Sequence, residues 1–285
     1  MMKGNSSLTG SLLSGRLHRI RRAAVGALVE EALLHPKPGL VCPGDSGSHG
    51  DMDASLLLRS AFSLRFYFRD VAKAGEAGAS FDTLCDLGMA AEQRMLVVTR
   101  GVNTHRGAIF SLGLFSAAVG MRTSGEAGTL GEIVRLRWGL GIEAVRPARP
   151  TGKGAMAAVQ AGIGDARSEA SSGFPTLYRW GLPALRSALA EGASRRKALV
   201  HTLFNLMARA DDTNLVHRGG AAGLEWARNE AGQFLAAGSV FRAGWERDIQ
   251  TMHREFVRRQ LSPGGTADLL AATLFVHAME DRKLL

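Results

Sequence analysis

Apolar residues recur at three- and four-residue steps along most of the chain, and nowhere do Val or Ile alternate with polar residues over five positions. Leu17, Ile20, Ala24, Val25, Leu28, Val29 and Leu33 trace one face of a helix; Leu56, Leu57, Ser60, Leu64, Tyr67, Phe68 and Val71 trace another. A period near 3.6 buries one stripe of a helix, whereas a half-buried strand needs a period of two. The pattern therefore predicts an all-α fold of about ten helices. Expected helices cover 16–34, about 51–74, 81–99, 106–121, 127–140, 154–170, 176–190, 194–210, 220–236, 238–259 and 264–280. With no fixed-period repeat and no flexible linker, residues 15–285 read as a single compact all-helical domain, preceded by a flexible tail over residues 1–14.

Glycine is the exception to this helical composition. The chain holds 35 glycines among 285 residues, and each costs about 1 kcal/mol inside a helix. They gather in a few polar segments, where glycine lets backbone amides approach a ligand. The most concentrated segment runs from His35 to Asp53. It holds Pro36, Pro38 and Pro43, which fix φ, and Gly39, Gly44, Gly47 and Gly50, with Lys37, Asp45, His49, Asp51 and Asp53 supplying charge of both signs. Such a composition suits a polyanion and its metal ion.

Four further segments carry chemistry. In Gly101–Phe110, Asn103 or Thr104 reads as a helix cap, placing His105 and Arg106 in the first turn, where a bound phosphate would offset their charge against the helix dipole. An ordinary capped helix start explains the same residues. In Gly162–Pro175, Asp165 and Glu169 stand at i,i+4 on one helix face, a spacing that suits a shared metal or an acid–base pair. Asp211, Asp212 and Asn214 offer the oxygen ligands that Mg²⁺ accepts, with His217, Arg218, Gly219 and Gly220 following as phosphate donors. Ser262 and Pro263 read as cap and first turn of a last helix, with Gly264 and Gly265 open to an oxyanion. The set fits a nucleoside triphosphate held through Mg²⁺, although no G-x-x-x-x-G-K-[ST] motif occurs.

The formal charge of +9 favours anionic partners. The excess is dispersed and mostly arginine, aromatic residues are few, and no Arg–aromatic interleaving for stacked bases is present, so nucleic acid is not the expected partner. No apolar run approaches the roughly 18 residues of a membrane span. Cys42 and Cys85 match no zinc or redox spacing, which leaves a reducing cytoplasm as the expected compartment.

Pro36-Lys-Pro-Gly-Leu-Val41 with Gly47-Ser-His49 and Asp51-Met52, Asn103-Thr-His105 with Gly107-Ala-Ile-Phe110, Asp212-Thr-Asn214 with Arg218-Gly-Gly220, and Ser262-Pro-Gly-Gly265 with Asp268 resemble the triphosphoribosyl-dephospho-CoA synthases. The resemblance runs from about residue 20 to 280. Ser48–Ser55 and the helix after it look most like the branch serving malonate decarboxylase, with the branch serving citrate lyase as the competitor. One departure is Arg106, where the family pattern usually has lysine; its fork replaces a point charge.

The resemblance implies an all-helical enzyme that transfers the triphosphoribosyl group of ATP to the 2′-hydroxyl of 3′-dephospho-CoA and releases adenine. The product would pass to a holo-carrier-protein synthase, and a homodimer is the expected assembly. Attack at ribose C1″ calls for an oxocarbenium-like transition state. On this reading Lys37, His105, Arg106 and Arg218 hold phosphates, with Gly39, Ser48, Asn103, Asn214, Gly219 and Gly264 completing the substrate site. Asp51, Asp211 and Asp212 hold Mg²⁺. Asp165 and Glu169 are the candidate acid and base, with His49 their rival. A Mg²⁺-dependent helical nucleotide or ADP-ribosyl hydrolase would use similar acids without a CoA acceptor, and a basic nucleic-acid-binding module would explain the charge alone.

Overall fold

The computed structural model describes residues 5–145 and 153–281, and among them every regular element is helical. In order these are α1 (Asn5–Leu33), α2 (Ala54–Ser63), α3 (Arg65–Glu76), α4 (Phe81–Val98), α5 (Arg106–Thr123), α6 (Leu130–Ala144) and α7 (Lys153–Ala161). The chain continues through α8 (Ala166–Ser171), a π-turn at Leu177–Gly181, α9 (Leu182–Ala190), α10 (Arg195–Met207) and α11 (Thr213–Ala236). A 3₁₀ turn at Ser239–Phe241, α12 (Trp245–Arg258) and α13 (Gly264–Glu280) complete it. The all-α expectation is met.

Two helices are apolar on nearly every face and so belong at the centre. Along α5, Ala108, Ile109, Leu112, Leu114, Phe115, Ala117 and Ala118 are buried; along α13, Leu270 through Val276 are. These two helices pack on one another, α1 packs on α13 and α3, and α3 lies closest of all to α5. The closeness has a residue-level cause. A Cβ at Gly75 would run into the Ala117 carbonyl, and one at Gly120 into the Ala72 carbonyl, so the two backbones meet directly. One hydrophobic core joins residues from Leu17 on α1 to Met279 on α13.

The boundaries differ from expectation at several places: the helix expected over about 51–74 is two, because Leu64 ends α2 with its amide turned back to the Ala61 carbonyl, and the one expected over 176–190 opens with the π-turn. The backbone of α1 begins at Asn5, inside the segment read as a tail; Leu8 and Leu12 keep the i,i+4 spacing of the helix, while residues 1–4 of that tail, like 282–285 of the domain, lie outside the described residues. The helix expected over 154–170 is two, because Gly162 takes φ 63° and ends α7, after which Asp165 caps α8. The helix expected over 238–259 begins only at Trp245, about two turns late, because Gly238 and Gly244 both take positive φ on either side of the 3₁₀ turn. Helix α11 starts seven residues early at Thr213, because Asp212 caps it, and kinks at Gly220 (φ 65°, ψ −171°).

Candidate functional site

Helices α5, α8, α11 and α13 bring their N-terminal ends together around a cavity of about 250 Å³. Gly107, Phe110 and Ser111 enter from α5, and Asp165, Ser168 and Glu169 from α8 and its cap. Asp211 and Thr213 come from the start of α11, and Gly265, Asp268 and Leu269 from α13. Among the described residues, four carboxylates line this space and no Lys or Arg does. Exposed amides at helix N-termini favour anions; carboxylates favour cations.

Each carboxylate is fixed by a helix start. Asp165 Oδ1 accepts from the Arg167 and Ser168 amides at 3.1 and 2.9 Å. Glu169 accepts from the Thr176 amide at 2.8 Å and its hydroxyl at 3.0 Å. Asp211 accepts from the Gly164 amide at 2.8 Å and from Arg228 at 2.5 Å. Asp268 accepts from the Ala108 amide, and it lies so close to Gly107 that a Cβ there would strike its Oδ2. Burial raises the pKa of Glu169. Burial raises that of Asp268 well above the usual range, with the negative charges of Glu31 and Asp212 adding to the effect. The cavity thus holds carboxyls poised to keep or accept protons.

Of the residues expected from sequence, Asp165, Glu169 and Asp211 meet at this cavity. Asn214 and Gly264 adjoin it: a Cβ on Gly264 would lie 2.8 Å from Asn214 Nδ2. Asp212 stands directly behind, 1% exposed. Its Oδ1 accepts from the Asn214 and Leu215 amides at 3.0 and 3.2 Å, and its Oδ2 from the Thr266 amide and hydroxyl at 2.7 and 2.8 Å. One carboxylate therefore ties the starts of α11 and α13 together. These bonds favour its charged form against a burial that raises its pKa.

A second group forms around the turn before α13. Ser48 donates to the Leu261 carbonyl at 2.6 Å, and Gly39 donates to His253 Nδ1 at 3.2 Å. Gly219 packs against Leu261. Arg218 donates to the Ser48 and Gln260 carbonyls at 3.0 and 3.1 Å and to His49 Nδ1 at 3.3 Å. Because arginine can only donate, His49 Nδ1 is an acceptor and Nε2–H donates to Ser262 Oγ at 2.8 Å. Burial, then the Arg218 charge, lowers the His49 pKa. His49 is a brace in this arrangement, with exposed Asp51 3.7 Å away. Ser262 is engaged by His49, so it does not cap α13; Pro263 holds that position.

The third group is sealed inside. Lys37, 1% exposed, donates to the Glu31 carboxylate and carbonyl at 2.6 and 2.5 Å instead of facing a phosphate. His105 is itself the N-cap residue of α5. Its ring meets Ser60 Oγ at 2.8 Å, and Thr104 donates to that same hydroxyl at 2.7 Å. Burial, with the Lys37 charge adding, lowers the His105 pKa to about 4. At the outer rim, Asn103 Oδ1 accepts from the Arg106 amide at 3.2 Å, and Arg106 Nε pairs with Glu92 at 2.6 Å. That ion pair supplies the counter-charge which the sequence pattern assigned to an anion.

Asp51, Asp211 and Asp212 thus do not come to one point, and among the described residues no three His, Cys, Asp or Glu side chains group to hold a metal by themselves. Sequence reasoning gave no role to Asp268, although its position one turn into the helix after Gly264-Gly265 was a usable signal. It passed over Ser111 and Phe174 and named Phe110 only as the end of a motif, because nothing in a helical or loop pattern distinguishes a cavity wall from core.

Comparison with known proteins gives a consistent result. The model of the CitG family, described as ATP:dephospho-CoA triphosphoribosyl transferase, matches residues 17–284. A protein of Acinetobacter calcoaceticus named "Probable 2-(5''-triphosphoribosyl)-3'-dephosphocoenzyme-A synthase" is 39% identical over 272 residues, covering 94% of this chain and 93% of its own. One of Pectobacterium atrosepticum, named 2-(5''-triphosphoribosyl)-3'-dephosphocoenzyme-A synthase, is 40% identical over 263 residues, 88% of this chain and 86% of its own. No solved structure matches the chain significantly.

Proposed function

The chain belongs to the ATP:dephospho-CoA triphosphoribosyl transferase family, and from that premise we propose how its cavity performs the transfer. The enzyme is a triphosphoribosyl-dephospho-CoA synthase, moving the triphosphoribosyl group of ATP to 3′-dephospho-CoA. The observation that carries the mechanism is the ring of Asp165, Glu169, Asp211 and Asp268 in one cavity at four helix N-termini.

Breaking the N-glycosidic bond leaves positive charge on the ribose C1″–O4″ unit. Fixed carboxylates stabilise that charge without reorganising. Departing adenine must gain a proton, and Asp268 is the group most strongly held in its protonated form. The attacking 2′-hydroxyl must lose one, and Glu169, beside Asp165, is a carboxylate whose raised pKa makes it a better base. The triphosphate lies at the cavity mouth, where the helix N-terminal ends converge.

A triphosphate would be repelled by four carboxylates unless a cation lay between them. Mg²⁺ fits, because it needs only one or two carboxylates when phosphate oxygens and water complete its shell. Asp211, the carboxylate at the start of α11, would hold it, and when bound it would neutralise the triphosphate.

The test is incubation with ATP and dephospho-CoA, with adenine followed by chromatography. Adenine release that depends strictly on dephospho-CoA supports the transferase. Release without it favours the hydrolase, and no release in either case refutes the mechanism. For the pathway, we propose that the product serves malonate decarboxylase by way of a holo-carrier-protein synthase. The Ser48-His-Gly-Asp-Met-Asp-Ala-Ser55 segment supports this over citrate lyase, and neighbouring genes test it. No described helix is long and apolar enough to cross a membrane.

A further inference from the structure

Among the residues lining the cavity, Ser111 alone carries a buried polar atom with no hydrogen-bond partner among the described residues. It is 6% exposed, and a buried hydroxyl left unpaired is costly. Gly107 and Ser111 stand at i,i+4, so both lie on the cavity face of α5, with Ser111 one turn deeper. The walls at that depth are apolar: Phe110, Phe174 and Leu269. Phe174 takes φ 59°, a strained conformation for an aromatic residue, and its ring packs against that of Phe115 at a tilt of 35°, with centroids 4.3 Å apart. Strain of this kind persists where the surrounding structure needs the side chain in one place.

We infer that this inner end of the cavity seats the purine base, with Ser111 Oγ bonding its edge and Phe110 and Phe174 bounding its faces. A phosphate would call for charged donors, which this end lacks. A ribose would present several hydroxyls to one partner. A flat, neutral heterocycle with apolar faces and a polar rim matches both the rings and the single hydroxyl, which can donate or accept. The inference rests on the triphosphoribosyl-transfer reading for the identity of the base, and it orients ATP with adenine inward and triphosphate at the mouth.

Calorimetric titration of the full-length chain with adenine tests it apart from turnover. The wild type is expected to bind adenine, and Ser111→Ala to bind it about three- to tenfold more weakly, the range for one neutral hydrogen bond. Ser111→Thr, which keeps the hydroxyl, should restore most of the loss. In steady-state assays the Ser111→Ala defect should fall on KM for ATP and leave KM for dephospho-CoA unchanged. No adenine binding by the wild type, equal binding by Ser111→Ala, or a defect confined to dephospho-CoA would overturn the assignment. If Ser111→Ala does not fold, Leu269→Phe, which narrows the same end, should abolish adenine binding, and unchanged binding would count against the seat. A wild type that binds adenine yet makes no product refutes the transferase and leaves the base site standing; product formation with unaltered adenine binding by Ser111→Ala does the reverse.

Discussion

Replacing Asp212 by alanine should cost this protein its stability before its chemistry. The carboxylate closes two helix starts at once, accepting from the Asn214 and Leu215 amides and from the Thr266 amide and hydroxyl. Loss of the α11 cap costs about 1 kcal/mol. Thr266 is fully buried, so its amide and hydroxyl are left without an acceptor, at about 1–3 kcal/mol each. The sum, about 3–7 kcal/mol, lowers the melting temperature by roughly 5–12 °C in a domain of this size. Asp212→Asn keeps an oxygen for α11 but turns an amide donor toward the Thr266 N–H, so it should fall between the two. Thermal and urea unfolding, both without Mg²⁺ or ATP, measure the effect. An Asp212→Ala protein melting within about 2 °C of wild type would refute the double-cap argument and restore the case for a ligand-facing carboxylate.

Three other outcomes follow from the same structure. His105 has its folded pKa lowered to about 4, below an unfolded value near 6.5, so its contribution is present above about pH 6.5 and disappears as pH falls toward 4. That amounts to about 3 kcal/mol, and His105→Gln should flatten the acid limb of a stability–pH curve; an unchanged slope would exclude it, and a residual slope is expected from His49 and His201, which shift the same way. Lys37→Met alone should destabilise by about 3–5 kcal/mol by stranding Glu31, and Glu31→Leu/Lys37→Met should recover much of this in urea titrations; a double variant no better than the single would contradict the pairing. Asp51→Asn should leave the Mg²⁺ dependence of adenine release close to wild type, whereas Asp211→Asn should raise the Mg²⁺ needed for half-maximal rate; the opposite ranking would return the metal to the loop at residue 51.

Helix content was legible because period and punctuation agree. The Ser262-Pro-Gly-Gly265 start and the apolar run behind it place α13 at 264–280. Glycines were the hard case: Gly162 ends a helix, whereas Gly75 sits inside one, and sequence spacing does not separate them. Asp165 and Glu169 stood out in the sequence because i,i+4 carboxylates are unusual, and both line the cavity, yet Asp165 caps α8 and is not part of the helix. Lys37 was misread because a lysine between prolines in a glycine-rich turn looks solvent-facing, and only the fold returns that turn onto Glu31. In the Asp211-Asp212 pair no pattern tells which carboxylate faces the cavity and which faces Thr266.

The contact of α3 with α5 has a practical consequence for saturation mutagenesis. Gly75 and Gly120 leave no space for even a methyl group, and the helix they pin carries Gly107 and Ser111 to the cavity. A deep mutational scan scored on growth would therefore rank these two glycines among the least tolerant positions, level with Glu169 or Asp268. Ranked by intolerance alone, the scan would draw an active site well over one helix too large. Scoring each variant for abundance as well as turnover would separate the groups, since the glycines should lose both and the cavity carboxylates only the second.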